Sequence, residues 1–375
     1  MKKLRELFPI TQELVYLNTA ASSPLSSPVK EAVEACLQDQ LRYAGLKYQE
    51  KRDERQAAVR RKLAHLIGAS PDEIAILRNT GEGLSAVASG LDWKEGDNVV
   101  TNDLEHPTNM YPWMNLEDRF GVEVRIVPAT EGRVPSEDLF AAADDRTRVI
   151  ALSFVEFSNG FRHDLQTIGS FCRQKGIYLV VDAVQALGVL EFDVNRSKVD
   201  FLSAGAFKWL LGPVGTSCFY CRQELLDRLW LTHPGPRGMV PSDSGRLLDY
   251  RFAPRPTAER FEGGSKNYLG IYGFDAGLNI IEQAGVENIE KHVLRLTGLL
   301  VSRLQDKGYR ILSSLDPKER SGIISFSHPR HDAAQLVQRL LDSRIVVAWR
   351  EGAIRVSIHL YNNEEDVERL IEALP

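Results

Sequence analysis

The chemistry open to this chain is set by a few reactive side chains that follow directly on apolar runs. Lys208 closes the stretch Val199-Asp-Phe-Leu-Ser203-Ala-Gly-Ala-Phe207-Lys208-Trp209, among small and apolar residues. Burying an ammonium there costs several kcal/mol unless it is paired or neutralised, and loss of the proton leaves a nucleophilic amine. The run Ile177 to Val181 ends in Asp182, with Gln185 three residues on. A third run, Glu73 to Leu77, leads through Arg78-Asn79-Thr80-Gly81-Glu82-Gly83 into an apolar helix; such a turn aims backbone N–H groups and a helix start at one point, as phosphate binding requires. A fourth, Asn98 to Asp103, is followed by Glu105 and His106, whose imidazole is of the right shape to stack on a flat heteroaromatic ring.

Two chemistries compete for these groups. Gly81-x-Gly83-x-x-Ala86, with Asp103 about 20 residues on, spells a dinucleotide fingerprint and implies an NAD-dependent oxidoreductase. An imine-forming lysine, a carboxylate on a nearby strand end and a helix start are instead the three parts that pyridoxal 5'-phosphate needs. The lysine ties down the aldehyde, the carboxylate keeps the pyridine nitrogen protonated, and the helix takes the phosphate. The joint presence of Lys208, Asp182 and Thr80-Gly81 favours the second.

These groups need a frame. With 375 residues, 43% hydrophobic and 26% charged, the chain has the composition of a globular protein with a sizeable core. Apolar periodicity alternates between helix and strand over the first 230 residues, which predicts a mostly parallel sheet between helices. Val29, Val33, Leu37 and Leu41 mark one helix, and Val59, Leu63 and Leu66 a second that ends at Gly68. Strands are expected at 73–77, 98–101, 122–127, 148–154, 177–181, 201–203 and 216–221. The Pro-, Gly- and Arg-rich stretch from His233 to Gly264 reads as an irregular crossover, followed by one long helix from Tyr268 to about Asp306 and a small α+β unit. The expected organisation is an N-terminal segment, 1–20, packing with the small domain; a large cofactor-binding domain, 21–240; and the crossover, long helix and small domain, 241–375.

Composition also excludes partners. Lys plus Arg number 46 and Asp plus Glu 51, so the net charge of -5 offers no global field for nucleic acid. No 18-residue apolar run or signal sequence is present, so no membrane partner is expected and a cytoplasmic location is. The four cysteines are scattered; only Cys218 and Cys221 share a C-x-x-C spacing, in a strand-like run that suits buried structural thiols, and no metal site is expected.

The motifs YLNTAASSPLSSPV, RNTGEGLSAVASGL, EHPTNMYPW, VVDAVQALG, KWLLGPVG, RFEGGSKN and IRVSIHLYN, from Tyr16 to Asn362, resemble in order those of the class V aminotransferase family, fold-type I enzymes that include cysteine desulfurases, selenocysteine lyases and isopenicillin N epimerase-like proteins. The resemblance implies that Lys208 holds pyridoxal phosphate as a Schiff base, Asp182 pairs with the ring nitrogen, Gln185 contacts the ring oxygen and His106 stacks on the ring. It gives the phosphate to Thr80, Gly81 and Glu82, and to Ser265 of the Gly264-Ser265 pair reaching over from the neighbouring subunit of a homodimer. Arg355 takes the place of the arginine that binds the substrate carboxylate, with Trp349 and Arg350 beside it. Phe207 and Gly205 stand where the family commonly has phosphate-binding His and Ser, so Ser203 is expected to compensate; Phe157 stands where desulfurases often have Asn, with Ser158 or Asn159 as substitutes. Leu341 to Arg355 contains no cysteine for sulfur transfer. The implied activity is transamination between an amino acid and a 2-oxo acid, with a lyase or epimerase as the alternative.

Overall fold

A computed structural model of the chain describes residues 1–43, 48–246 and 248–375. Strand β1 (Val15–Tyr16) lies near the N-terminus. The central sheet has seven strands: β2 (Ile74–Leu77), β3 (Asn98–Asn102), β4 (Glu123–Val127), β5 (Thr147–Ser153), β6 (Tyr178–Asp182), β7 (Phe201–Gly205) and β8 (Ser217–Cys221). Their spatial order is β2-β8-β7-β6-β5-β3-β4, and β8 alone runs against the others. Helices cover both faces, so consecutive strand residues enter apolar layers on opposite sides; Val180 packs into one layer and Leu179 and Val181 into the other. Such strands read as continuous apolar runs, which is why they stand out in the sequence.

The order of the strands removes the dinucleotide reading. In a nucleotide-binding unit, the strand before the glycine turn and the strand bearing the acidic residue are neighbours. Here β8, β7, β6 and β5 lie between β2 and β3. Asp103 accepts a hydrogen bond from the Ala129 N–H at 2.8 Å. Gly83 is small for packing: an added Cβ would fall 2.5 Å from Ser203 Oγ and 2.8 Å from the Phe219 ring.

The C-terminal unit is a four-stranded antiparallel sheet, in which β9 (Arg310–Ile311), β10 (Ile323–Ser327), β12 (Ala348–Arg350) and β13 (Ala353–Ser357) lie in the order β12-β13-β10-β9, while the short β11 (Ile345–Val346) pairs in parallel with β1. Arg5 reinforces that tie through two bonds to Asp366, at 2.7 and 2.9 Å. The chain then runs along the small sheet, where the Ser357 N–H donates to Leu17 O, to reach Ala20 and Ala21.

Two expectations need correction. The stretch from Tyr268 is two helices, Tyr268–Ala284 and Val286–Asp306, broken at Gly285, whose φ of 75° lies in the left-handed region that glycine tolerates. Of the apolar stripe on the helix Ser27–Tyr43, Val29 is buried but Leu37 and Leu41 are exposed. Among the described residues, no helix is long and apolar enough to cross a membrane.

Candidate active site

The carboxyl ends of β2, β3, β5, β6 and β7 open on one cavity of about 750 Å³. Ligands of open α/β sheets bind at such ends. It is lined by Thr80, Gly81, His106, Asp182, Gln185 and Lys208 from the large sheet and by Arg350 and Arg355 from the small one. A larger cleft, about 1260 Å³, runs past Lys62, Arg162 and Glu287 and contains none of these groups.

Lys208 and Asp182 set the electrostatics. Burial pulls the Lys208 amine down to about 8, against the pull of Asp182 and with help from the Arg355 and Arg350 cations. Burial pushes the Asp182 carboxyl up to about 6, against the Val184 N–H donated to it at 2.9 Å and the charge of Lys208. At neutral pH the carboxylate is mostly ionised and part of the lysine is neutral. His106 accepts the Thr108 N–H at Nδ1, 3.1 Å away, which leaves the proton on Nε2 of the neutral ring. Burial, then Lys208, Arg350 and Arg355, hold the imidazole below its ordinary value. Phe157 meets that ring edge-on at 4.9 Å between centroids.

Thr80 is clamped at the start of the helix Thr80–Gly90. Its hydroxyl accepts the Gly205 N–H and its carbonyl accepts the Ser203 hydroxyl, each at 2.9 Å. Ser203 is thereby fully buried and does not line the cavity. Its side chain supports the helix start and is not presented to a phosphate. Glu82 is committed elsewhere too: its N–H caps onto Asn79 Oδ1 at 2.9 Å, and its carboxylate folds back on Arg78. Gly205 and Phe207 are coupled, since a Cβ on Gly205 would lie 3.1 Å from the Phe207 ring. Asn159 bonds Gly132 O and the Phe161 N–H, and neither it nor Ser158 lines the cavity. Gln185 lines the wall while donating to Ala20 O at 3.1 Å and accepting from Trp209 Nε1 at 2.8 Å.

Arg355 is 1% exposed, donates from Nη1 to Phe157 O at 2.6 Å, and leaves its Nε without a partner. Burial and Arg350 lower its pKa to about 10. A buried guanidinium lacking a carboxylate is costly, and this one keeps unused hydrogen-bond donors at the cavity wall. Trp349 is 49% exposed and outside the cavity, because alternation along β12 sends it to the face opposite Arg350. Ser265 is exposed and lines no part of this chain's cavity.

Behind the cavity lies a buried polar cluster centred on two carboxylates, Glu105 and Glu156. Glu105 accepts from the Ser153 N–H, the Ser153 hydroxyl at 2.8 Å and Asn109 at 2.9 Å. Glu156 accepts from Asn102 at 3.0 Å and meets His163 Nε2 at 2.9 Å. Burial and the surrounding carboxylates push Glu105 well up; burial pushes Glu156 to about 8 and pulls His163 to about 4. The visible signal was the density of Asn and Glu after β3, but the partner segment is 54 residues away from Asn102.

The pair Glu156–His163 therefore keeps one proton up to about pH 8, whereas an unfolded histidine releases it near 6.5. Between those values the folded state binds more protons, so stability should fall as pH rises, by up to about 1.4 kcal/mol per pH unit. Denaturant titrations from pH 6.5 to 8 should show this slope in the wild type and a flatter one in Glu156→Gln; equal slopes would reject the shared proton.

Comparison with known proteins gives a consistent picture. The family described as Aminotransferase class-V matches residues 15–370. A probable cysteine desulfurase of Methanothermobacter thermautotrophicus is 30% identical over 99% of this chain and 96% of its own length. The uncharacterized aminotransferase YcbU of Bacillus subtilis is 30% identical over 100% and 97%. The apo structure of a cysteine desulfurase from Thermococcus onnurineus NA1 superposes with a TM-score of 0.91 at 27% identity, covering 99% of this chain and 96% of that one.

Proposed function

The chain belongs to the class-V aminotransferase family, a group dependent on pyridoxal phosphate, and from that premise we propose that it moves the amino group of an α-amino acid to a 2-oxo acid, with Lys208 as covalent anchor and base. The residues present fit the cofactor. The cavity offers a partly neutral amine, a buried carboxylate, a flat neutral imidazole and a helix start in one space. Lys208 would hold the aldehyde, Asp182 the ring nitrogen, His106 the ring face, Gln185 the ring oxygen, and Thr80 with Gly81 the phosphate. When bound, the group supplies an electron-withdrawing ring that stabilises negative charge at a substrate α-carbon.

The protein's own part is binding, orientation and one proton. Arg355 takes the α-carboxylate through the N–H groups not used by Phe157, which fixes the α-carbon beside Lys208. The free amine of Lys208 removes the α-proton at Nζ and holds it, its basicity set by burial and Asp182. Asp182 keeps its negative charge in place through the Val184 N–H.

The carrying observation is that Lys208, Asp182 and the anion-free Arg355 line one cavity. The test is incubation of purified protein with L- and D-amino acids, following the cofactor spectrum and identifying the product. A 2-oxo acid formed with a spectral change supports transamination; a protein that is colourless and fails to take up pyridoxal phosphate rejects the assignment.

Elimination is the second reading, favoured by relatives named cysteine desulfurase. All four cysteines are buried, none lines the cavity, and burial pushes Cys172 and Cys218 up to about 12. Sulfur held on an enzyme thiol therefore has no acceptor here. Iodoacetamide should leave turnover unchanged within about twofold, since only an accessible thiolate reacts; rapid inactivation with one alkylated cysteine would restore the sulfur-transfer reading.

The exposed Leu37 and Leu41, together with the exposed Gly264-Ser265, support a homodimer in which Ser265 reaches the neighbouring cavity.

A further inference from the structure

Arg355 is not the only cation in the cavity lacking an anion. In the register of the small sheet, Arg355 on β13 faces Ala348 on β12, and Arg350 faces Ala353. Residues opposite one another in an antiparallel pair share a face, and so do residues two apart on one strand. Arg350 and Arg355 are therefore diagonal neighbours on one face, their bases about 7–8 Å apart, and both side chains line the cavity. Arg350 donates from Nη1 to the Trp349 carbonyl at 2.7 Å. Among the described residues neither arginine has a carboxylate within ion-pair distance, whereas Arg125 on the large sheet pairs with both Glu123 and Asp144. Among the described residues, Asp182 is the one carboxylate lining the cavity.

Two like charges placed side by side without an anion repel each other and both disfavour protonation of Lys208. An arrangement of this kind is relieved by a ligand that brings two negative groups. The cofactor phosphate, assigned above to Thr80 and Gly81 on the large sheet, does not require them. We infer that the substrate is a diacid, an α-amino acid with a second carboxylate at the end of a four- or five-carbon chain, and that Arg350 is the residue that selects it. The inference rests on the proposed function and names the substrate class of the same site. Glutamate and aspartate, with the matching 2-oxo diacids, have this chemistry; their amides have the same shape without the charge.

The isosteres give the test. With holoenzyme, kcat/KM for glutamate over glutamine, or aspartate over asparagine, should be at least about tenfold, the size of a single charge-assisted contact. In Arg350→Gln that ratio should collapse to within about threefold of unity. Calorimetry supplies a readout free of turnover: glutarate should bind the holoenzyme at least about tenfold more tightly than butyrate, and Arg350→Gln should erase the difference. Equal treatment of acid and amide by the wild type, or a ratio that survives Arg350→Gln, overturns the inference. Either result in a yellow, borohydride-sensitive protein leaves the cofactor assignment standing. A protein that lacks that colour, and whose glutarate binding ignores Arg350, overturns both.

Discussion

Lys208→Ala should lower turnover by about a thousandfold or more, because one side chain is asked to serve as both covalent anchor and proton acceptor, and each role contributes on the order of a hundredfold or more. The substitution also removes the cation that favours ionisation of Asp182, so that carboxyl should titrate still higher than about 6. Two measurements check the claim. Single-turnover kinetics with an active amino acid should show the loss, and borohydride treatment followed by peptide mass analysis should find pyridoxyl label on the peptide containing Lys208 in the wild type and none in the variant. Label on a different lysine would refute the assignment.

Arg355→Leu should reduce kcat/KM by about a hundredfold to a thousandfold, the usual consequence of removing one partner of a buried, charge-assisted pair. Folding should respond differently. Arg355 is almost fully buried, with an unpartnered Nε and no anion, so leucine removes a desolvated charge at the expense of the bond to Phe157 O. The unfolding free energy should stay within about 1 kcal/mol of wild type or rise. A variant that loses activity and stability together would point to a structural role. Arg355→Lys, which keeps the charge but not the fork, should fall between wild type and leucine in kcat/KM.

How much of this was legible in the sequence depends on the range of the interaction. Asp182, Lys208 and His106 stand out because each ends or closely follows a strand whose residues are buried on both faces, and an apolar run stopping at a polar group is a local signal. The reversal of β8 could not be read, since Ser217–Cys221 is buried on both sides and carries no alternation to show direction. Cys218 and Cys221 accordingly enter opposite apolar layers. Ser203 and Trp349 were misplaced for one reason: the face a strand residue takes depends on register with a partner strand distant in the chain. Glu105, Glu156 and His163 form one cluster across 58 positions of sequence, and no spacing rule connects them.

The first 21 residues carry a practical consequence. They are stitched to the C-terminal unit through the pairing of Val15–Tyr16 with Ile345–Val346, and at the far end Ala20 gives its carbonyl to Gln185 while Ala20 and Ala21 border the reaction chamber. Shortening the chain from its amino terminus to obtain a neater crystallisation sample would thus breach the chamber itself, letting bulk water in beside the amine and unfastening the amide at 185.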